Sequence, residues 1–273
     1  SGTEIRNVKM NLGGKNMDYR VVQMDEHTWR IEEFDDTSSV YMYLLEGSER
    51  AMLLDSGLGM IPLDEITAEL TLLPVDVLAT HAHLDHIGGN SFFEKVYINE
   101  LDREVFSLHC DKFRSHYPDY QFRGQRDNII WYTGEKEFQL GGRTLRLVSS
   151  PGHTLGAVSI LDVERKWLFT GDTCCQASVL LNLEYTTTVE TYKRTIERLL
   201  SIGEQYDLTW PAHHKIPVSP EILEQFREAA DLLLDKKAEG EDIEMPFGPA
   251  KCFYYKDISI TYTPDRVFDR NDA

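Results

Sequence analysis

Short apolar runs, each closed by a turn signal, mark the N-terminal part of the chain: Val40-Tyr41-Met42-Tyr43-Leu44-Leu45, then Ala51-Met52-Leu53-Leu54 ending in Asp55-Ser56-Gly57. Runs of this length with this punctuation predict paired β-strands. From Pro62 the apolar spacing lengthens to Leu63, Ile66 and Leu70, which predicts a helix with proline at its start, before 75–79 returns to a strand. The same criteria predict strands over 144–148, 157–163, 167–169 and 208–210, and helices near 101–108, 189–202 and 220–237. A strand pair around Lys256-Asp257 is expected within 251–262. Strands and helices mixed in this order suit an α/β (α+β) chain of layered sheets covered by helices. No repeat or linker-like stretch interrupts 1–273, so a single domain is expected.

Directly after the 75–79 strand stands Thr80-His81-Ala82-His83-Leu84-Asp85-His86-Ile87-Gly88-Gly89, with four metal-capable side chains packed into six positions. Imidazoles two apart on extended backbone share a side and can grip one cation, while the carboxylate and imidazole just beyond can grip another. Further candidates close other apolar runs beside Gly or Pro: His153 after Pro151-Gly152, Asp172 after Gly171, and His213 after Pro211-Ala212. Loops at sheet edges are where separate chain segments can converge on one site. A lone histidine is ordinarily a hydrogen-bonded surface or core residue, but five of the nine histidines occupy these junctions. His27, His109 and His116 have no such context and are read as ordinary. Spacing alone does not choose between His213 and its neighbour His214.

Composition narrows the partners. With 28 Lys+Arg against 46 Asp+Glu the net charge is −18, so a nucleic-acid partner is not expected. No apolar window is long enough for a membrane span. Four cysteines, two of them adjacent (Cys174, Cys175), are too few for a disulfide scaffold. A cytoplasmic location is favoured, with secretion left open by the opening Ser1-Gly2-Thr3, and the expected state is monomer or homodimer.

These residues resemble the metallo-β-lactamase-fold hydrolases, specifically the dinuclear His-x-His-x-Asp-His branch. The likeness runs from Asp55-Ser56-Gly57 through His81-x-His83-x-Asp85-His86, Gly152-His153 and Gly171-Asp172 to Pro211-x-His213. The spacing is 72 residues from His81 to His153, 19 more to Asp172 and 41 more to His213. The resemblance implies a four-layer αββα sandwich of two mixed sheets with the site along one edge. It implies that His81, His83 and His153 hold one metal, that Asp85, His86 and His213 hold the other, and that Asp172 bridges them. It favours His213 over His214, which would sit behind it, and it makes Asp55 an orienting residue for the His81 loop. Nitrogen and oxygen ligands without thiolate suit two Zn²⁺, with Mn²⁺ or Fe also compatible. The implied chemistry is attack on a small-molecule carbonyl (ester, lactone or thioester) by a metal-bridging hydroxide, with Asp85 shuttling a proton.

Departures from subfamily patterns prune that list. The β-lactamases of this fold generally lack an aspartate at the position of Asp172, and the oxygen-reducing diiron members carry glutamate at that of His83. The C-terminal region lacks the basic helical pattern of glyoxalase II-type glutathione thioesterases, and lactonases place a tyrosine shortly after the bridging aspartate, where only the more distant Tyr185 and Tyr192 are available. A non-hydrolytic binding or redox protein on the same scaffold is the alternative of another class. Three features remain as pocket candidates. The aromatic and basic segment 106–131, with Tyr120 and Arg123, is a candidate cap. Cys174, two residues beyond Asp172, edges the pocket or simply packs. Tyr185 is the third.

Overall fold

A computed structural model describes residues 2–12, 15–35, 38–116, 127–246 and 248–270. The chain forms two compact units, Ser1–Leu145 and Arg146–Ala273.

The first unit is built on an eight-stranded mixed sheet whose strands lie in chain order. Strands β1 (Thr3–Leu12), β2 (Lys15–Asp25), β3 (Thr28–Phe34), β4 (Ser39–Glu46) and β5 (Ala51–Leu54) form an antiparallel meander. From β5 onward the pairing is parallel, through β6 (Val75–Leu78), β7 (Val96–Asn99) and β8 (Ile129–Tyr132). Parallel neighbours need long crossovers, and helices α1 (Leu63–Leu70), the short α2 (Leu84–Ile87) and α3 (Arg103–His116) lie in them. Strand β5 is buried throughout, as its unbroken apolar run requires. One core cluster joins Met42, Leu53, Val77 and Ile98 of the sheet to Leu63 and Ile66 of α1 and Val105 and Phe106 of α3. Strand β3 carries Arg30, Glu32 and Glu33 in its buried stretch. Those charges break the apolar alternation, which is why the pattern does not announce it. Beyond β8, β9 (Glu137–Gln139) turns back at Gly141-Gly142 on the first residues of β10 (Thr144–Ser149), with Leu140 N–H donating to Arg143 O at 2.9 Å.

In the second unit β10 is followed across the sheet by β11 (Val158–Asp162), β12 (Trp167–Gly171) and β14 (Leu208–Pro211), the last two parallel. A further sheet has the order β13 (Ser178–Leu181), β17 (Ile258–Tyr262), β16 (Gly248–Tyr255), β15 (Glu241–Met245). The expected strand pair around Lys256-Asp257 is thus β16–β17, extended on both sides. Helices α4 (Val189–Ser201) and α5 (Glu221–Leu234) share a core cluster through Tyr192, Ile196 and Leu199 of α4 and Leu223, Phe226 and Ala230 of α5. The Tyr192 and Phe226 rings meet edge to face at 5.8 Å. Mixed sheets covered by helices agree with the expected α/β class. Among the described residues no helix is long and apolar enough to cross a membrane.

Candidate functional site

The first group of candidate ligands hangs from the carboxyl ends of two neighbouring parallel strands. Leu54 pairs with Leu78, so Asp55 and the Ala79-Thr80 segment leave the sheet side by side. Asp55 is buried with a left-handed backbone (φ 62°), a conformation Asp tolerates better than most side chains. Its carboxylate accepts from Thr80 N–H (2.7 Å), from the Thr80 hydroxyl (2.9 Å) and from His86 Nδ1 (2.8 Å). A carboxylate only accepts, so the neutral His86 ring carries its proton on Nδ1 and its lone pair on Nε2. The Thr80 hydroxyl donates its one proton to Asp55 and so accepts from His81 Nδ1 at 3.1 Å, which fixes the same tautomer on His81. His81, His83 and His86 are buried, with the His81 ring 4.6 Å from that of His83 and 4.0 Å from that of His86. Asp85 Oδ2 lies 3.7 Å from His86 Nε2 on a side chain that is 33% exposed.

The second group belongs to the other unit. His153 Nδ1 lies 2.9 Å from Leu180 O, an acceptor only, so this imidazole also has its lone pair on Nε2. The chain reaches His153 through Gly152, where a Cβ would stand 2.7 Å from Cδ2 of Tyr192. The Tyr192 hydroxyl in turn donates to Thr173 O at 2.8 Å, tying the His153 loop and the Asp172 loop to one buried ring. Asp172 follows Gly171, which has positive φ (51°) and whose carbonyl accepts from Ala212 N–H at 3.1 Å. Its two carboxylate oxygens lie 3.4 Å from His153 Nε2 and 3.5 Å from His213 Nε2. His214 has a left-handed backbone (φ 66°), with its ring 6.2 Å from that of His213. Partial burial and the neighbouring His213 lower its pKa.

The pocket candidates have these surroundings. Tyr120 and Arg123 lie outside the described residues, and the two ends of the proposed 106–131 cap belong to the framework. Phe106 is a core residue of α3, and Trp131 sits in β8 with its ring edge-on to Phe106 at 5.5 Å. Tyr185 is 46% exposed with φ 63°. Cys174 is 1% exposed, inside the apolar cluster that contains Tyr192 and Ile196, and burial pushes its thiol up to about 12. Cys174→Ala is therefore expected to cost roughly 1 kcal/mol through a small cavity while turnover stays within about twofold of the parent. Denaturant titration and initial rates check both halves.

Some supporting residues carry no sequence signal of their own. Glu33, 1% exposed, accepts from Leu58 N–H (2.7 Å) and Met60 N–H (2.9 Å). That loop is docked on the end of α2, where Gly88 N–H donates to Gly57 O at 2.8 Å. Burial raises the Glu33 carboxyl from 4.5 to about 7, against the pull of the Leu58, Met60 and Gly59 amides and with a smaller push from Asp85. A folded pKa above the unfolded one stabilises fully below pH 4.5 and is lost as pH rises through 7. The shift is worth about 3 kcal/mol. Glu33→Gln keeps an acceptor oxygen but cannot ionise, so the fall in stability across that window should flatten by this order when unfolding is followed as a function of pH.

Residues 35–239 match the metallo-beta-lactamase superfamily, and the chain belongs to it. The fold is that of the family: a metallo-beta-lactamase from Pontibacter korlensis aligns with 77% of this chain and 97% of its own, with a TM-score of 0.59 at 20% identity. The human acyl-coenzyme A thioesterase MBLAC2 is 29% identical over 207 residues, covering 65% of this chain and 73% of that protein. A probable polyketide biosynthesis zinc-dependent hydrolase, BaeB of Bacillus velezensis, is 26% identical over 197 residues, 69% of this chain and 80% of that one.

Proposed function

We propose that this chain is a dinuclear metal-dependent hydrolase of small acyl thioesters. His81, His83 and His153 would hold one ion, Asp85, His86 and His213 the other, and Asp172 would lie between them. The observation that carries it is the tautomer set of three histidines: protein acceptors take the Nδ1 proton of His81, His86 and His153, which in the neutral ring leaves the lone pair on each Nε2. Outer partners that fix ring and tautomer in this way are what metal-bound histidines require. A donor set of imidazoles and carboxylates suits zinc, and manganese or iron fits the same ligands. Bound, such a pair would supply a Lewis acid for the carbonyl and lower the pKa of bound water towards roughly 7.

The remaining chemistry falls to the chain. Asp55 and Thr80 orient His81 and His86, Tyr192 ties the loops of His153 and Asp172, and the partly exposed Asp85 would carry a proton away. A thioester fits this modest acid–base equipment, because a thiolate of pKa about 8.5 departs with little help from an acid. The names of two relatives, one a coenzyme A thioesterase and one a zinc-dependent hydrolase, support the same substrate bond and metal.

The test combines metal analysis with thiol release. The purified chain should hold two zinc equivalents and release thiol from acyl-coenzyme A, acyl-pantetheine or glutathione thioesters faster than it opens aryl esters or lactones. Chelation should abolish turnover and zinc should restore it. A fully metallated chain that cleaves no thioester overturns the substrate class.

A further inference from the structure

The His81–Leu84 backbone is gripped from one side by α3. Asp102, just before the helix and fully buried, accepts from Ala82 N–H through Oδ2 at 3.0 Å. His109, within α3, accepts from Leu84 N–H through Nδ1 at 3.1 Å. Seven residues separate the two acceptors, about two helical turns. The amide donors Ala82 and Leu84 alternate with His81 and His83, so the grips fall between the candidate ligands.

His109 does more than accept one bond. Leu84 opens α2, and its amide is one of the donors that a helix start leaves without an intrahelical partner. The residue at the cap position is His83, whose side chain makes no capping hydrogen bond. The cap is supplied from α3 instead, which leaves the His83 imidazole to other work. The His109 ring also stacks on that imidazole, with centroids 4.4 Å apart and planes 26° from parallel. An Nδ1 that accepts must carry a lone pair, so the neutral His109 ring has its proton on Nε2, the tautomer opposite to that of His81 and His86.

Resting on the metal-pair proposal above, we propose that His109 is a positioning residue for His83, setting its ring plane by stacking and its backbone by capping Leu84. The two contributions are separable. His109→Asn puts an amide oxygen where Nδ1 stood and keeps the cap without the ring. His109→Phe keeps a ring without the acceptor, and His109→Leu removes both.

The readout is zinc affinity by chelator competition, with cobalt absorption spectra of the substituted protein, alongside kcat and KM for a thioester. His109→Leu should melt cooperatively, bind its weaker zinc some 10- to 100-fold less tightly, alter the cobalt spectrum, and lower kcat with KM nearly unchanged. Asn and Phe should each recover part of the affinity. Nitrogen NMR of the metal-free protein should find His109 Nδ1 unprotonated. Zinc affinity and cobalt spectrum of His109→Leu equal to the parent would overturn the proposal, as would equal losses in all three variants. Should the parent bind two zinc ions and hydrolyse nothing, the substrate class fails while the His109 result stands on affinity and spectra alone.

Discussion

Asp172→Ala is expected to reduce bound zinc below two equivalents per chain and to cut thioester turnover by at least about a thousandfold. Asp172 is the carboxylate whose oxygens lie 3.4 and 3.5 Å from the Nε2 atoms of His153 and His213. Its removal takes away the negative group between His153 and His213, and a metal site supplies several kcal/mol of charge stabilisation to the transition state. At about 1.36 kcal/mol per tenfold, a loss of some 4 kcal/mol gives that factor. Asp172→Asn keeps the shape and one acceptor oxygen but loses the charge, so it should fall between. The fold should survive both changes, since Asp172 is partly exposed and Gly171 and Ala212 hold the loop backbone without it. Elemental analysis paired with single-turnover rates checks this. If Asp172→Ala retains two ions and turns over within tenfold of the parent, Asp172 does not stand between the metals.

The candidate ligands were legible because each closes an apolar run at a Gly- or Pro-marked turn, so local pattern alone placed them at strand ends. The strand β4 and helices α1, α4 and α5 were legible for a related reason, their period being written in adjacent residues. What supports the ligands was not. Strand β3 hides its β-period because Arg30 and Glu32 are buried as a pair, Arg30 Nε donating to Glu32 Oε1 at 2.7 Å, and Glu33 is buried against backbone amides of residues 58 and 60. His109 looks ordinary in sequence because its contacts with Leu84 N–H and the His83 ring reach about 25 residues away. Within 106–131, Phe106 and Trp131 pack against the core of the first unit, and Tyr120 and Arg123 lie outside the described residues. Composition does not distinguish an aromatic that covers a substrate from one that covers a sheet. Asp55 is the exception among supporting residues, since the family resemblance assigns it an orienting role.

Asp55 offers the sharpest separation of fold from metal binding. In Asp55→Ala the Thr80 amide and the His86 Nδ1–H lose a buried acceptor together, and a non-Gly, non-Asp side chain is left at φ 62°. Breaking a buried network of this kind costs about 3–5 kcal/mol, so lower stability and lower metal affinity should appear together. Asp55→Asn behaves differently. Its amide oxygen can keep the bond to Thr80 N–H, and Asn tolerates the left-handed backbone. Its NH₂ group then faces His86 Nδ1 and the Thr80 hydroxyl, where the carboxylate had only accepted. His86 can meet that donor only by accepting at Nδ1, which moves its proton to Nε2. The Thr80 hydroxyl, now an acceptor from Asn, turns its proton towards His81 Nδ1 and drives the same change there. Two ligand lone pairs are thus replaced by N–H groups with little loss of packing. Asp55→Asn should melt within a few degrees of the parent yet bind zinc 10- to 100-fold less tightly, and nitrogen NMR of the metal-free variant should show His86 protonated on Nε2. Unchanged zinc affinity in Asp55→Asn would mean that the Asp55 carboxylate holds the loop without setting the tautomers.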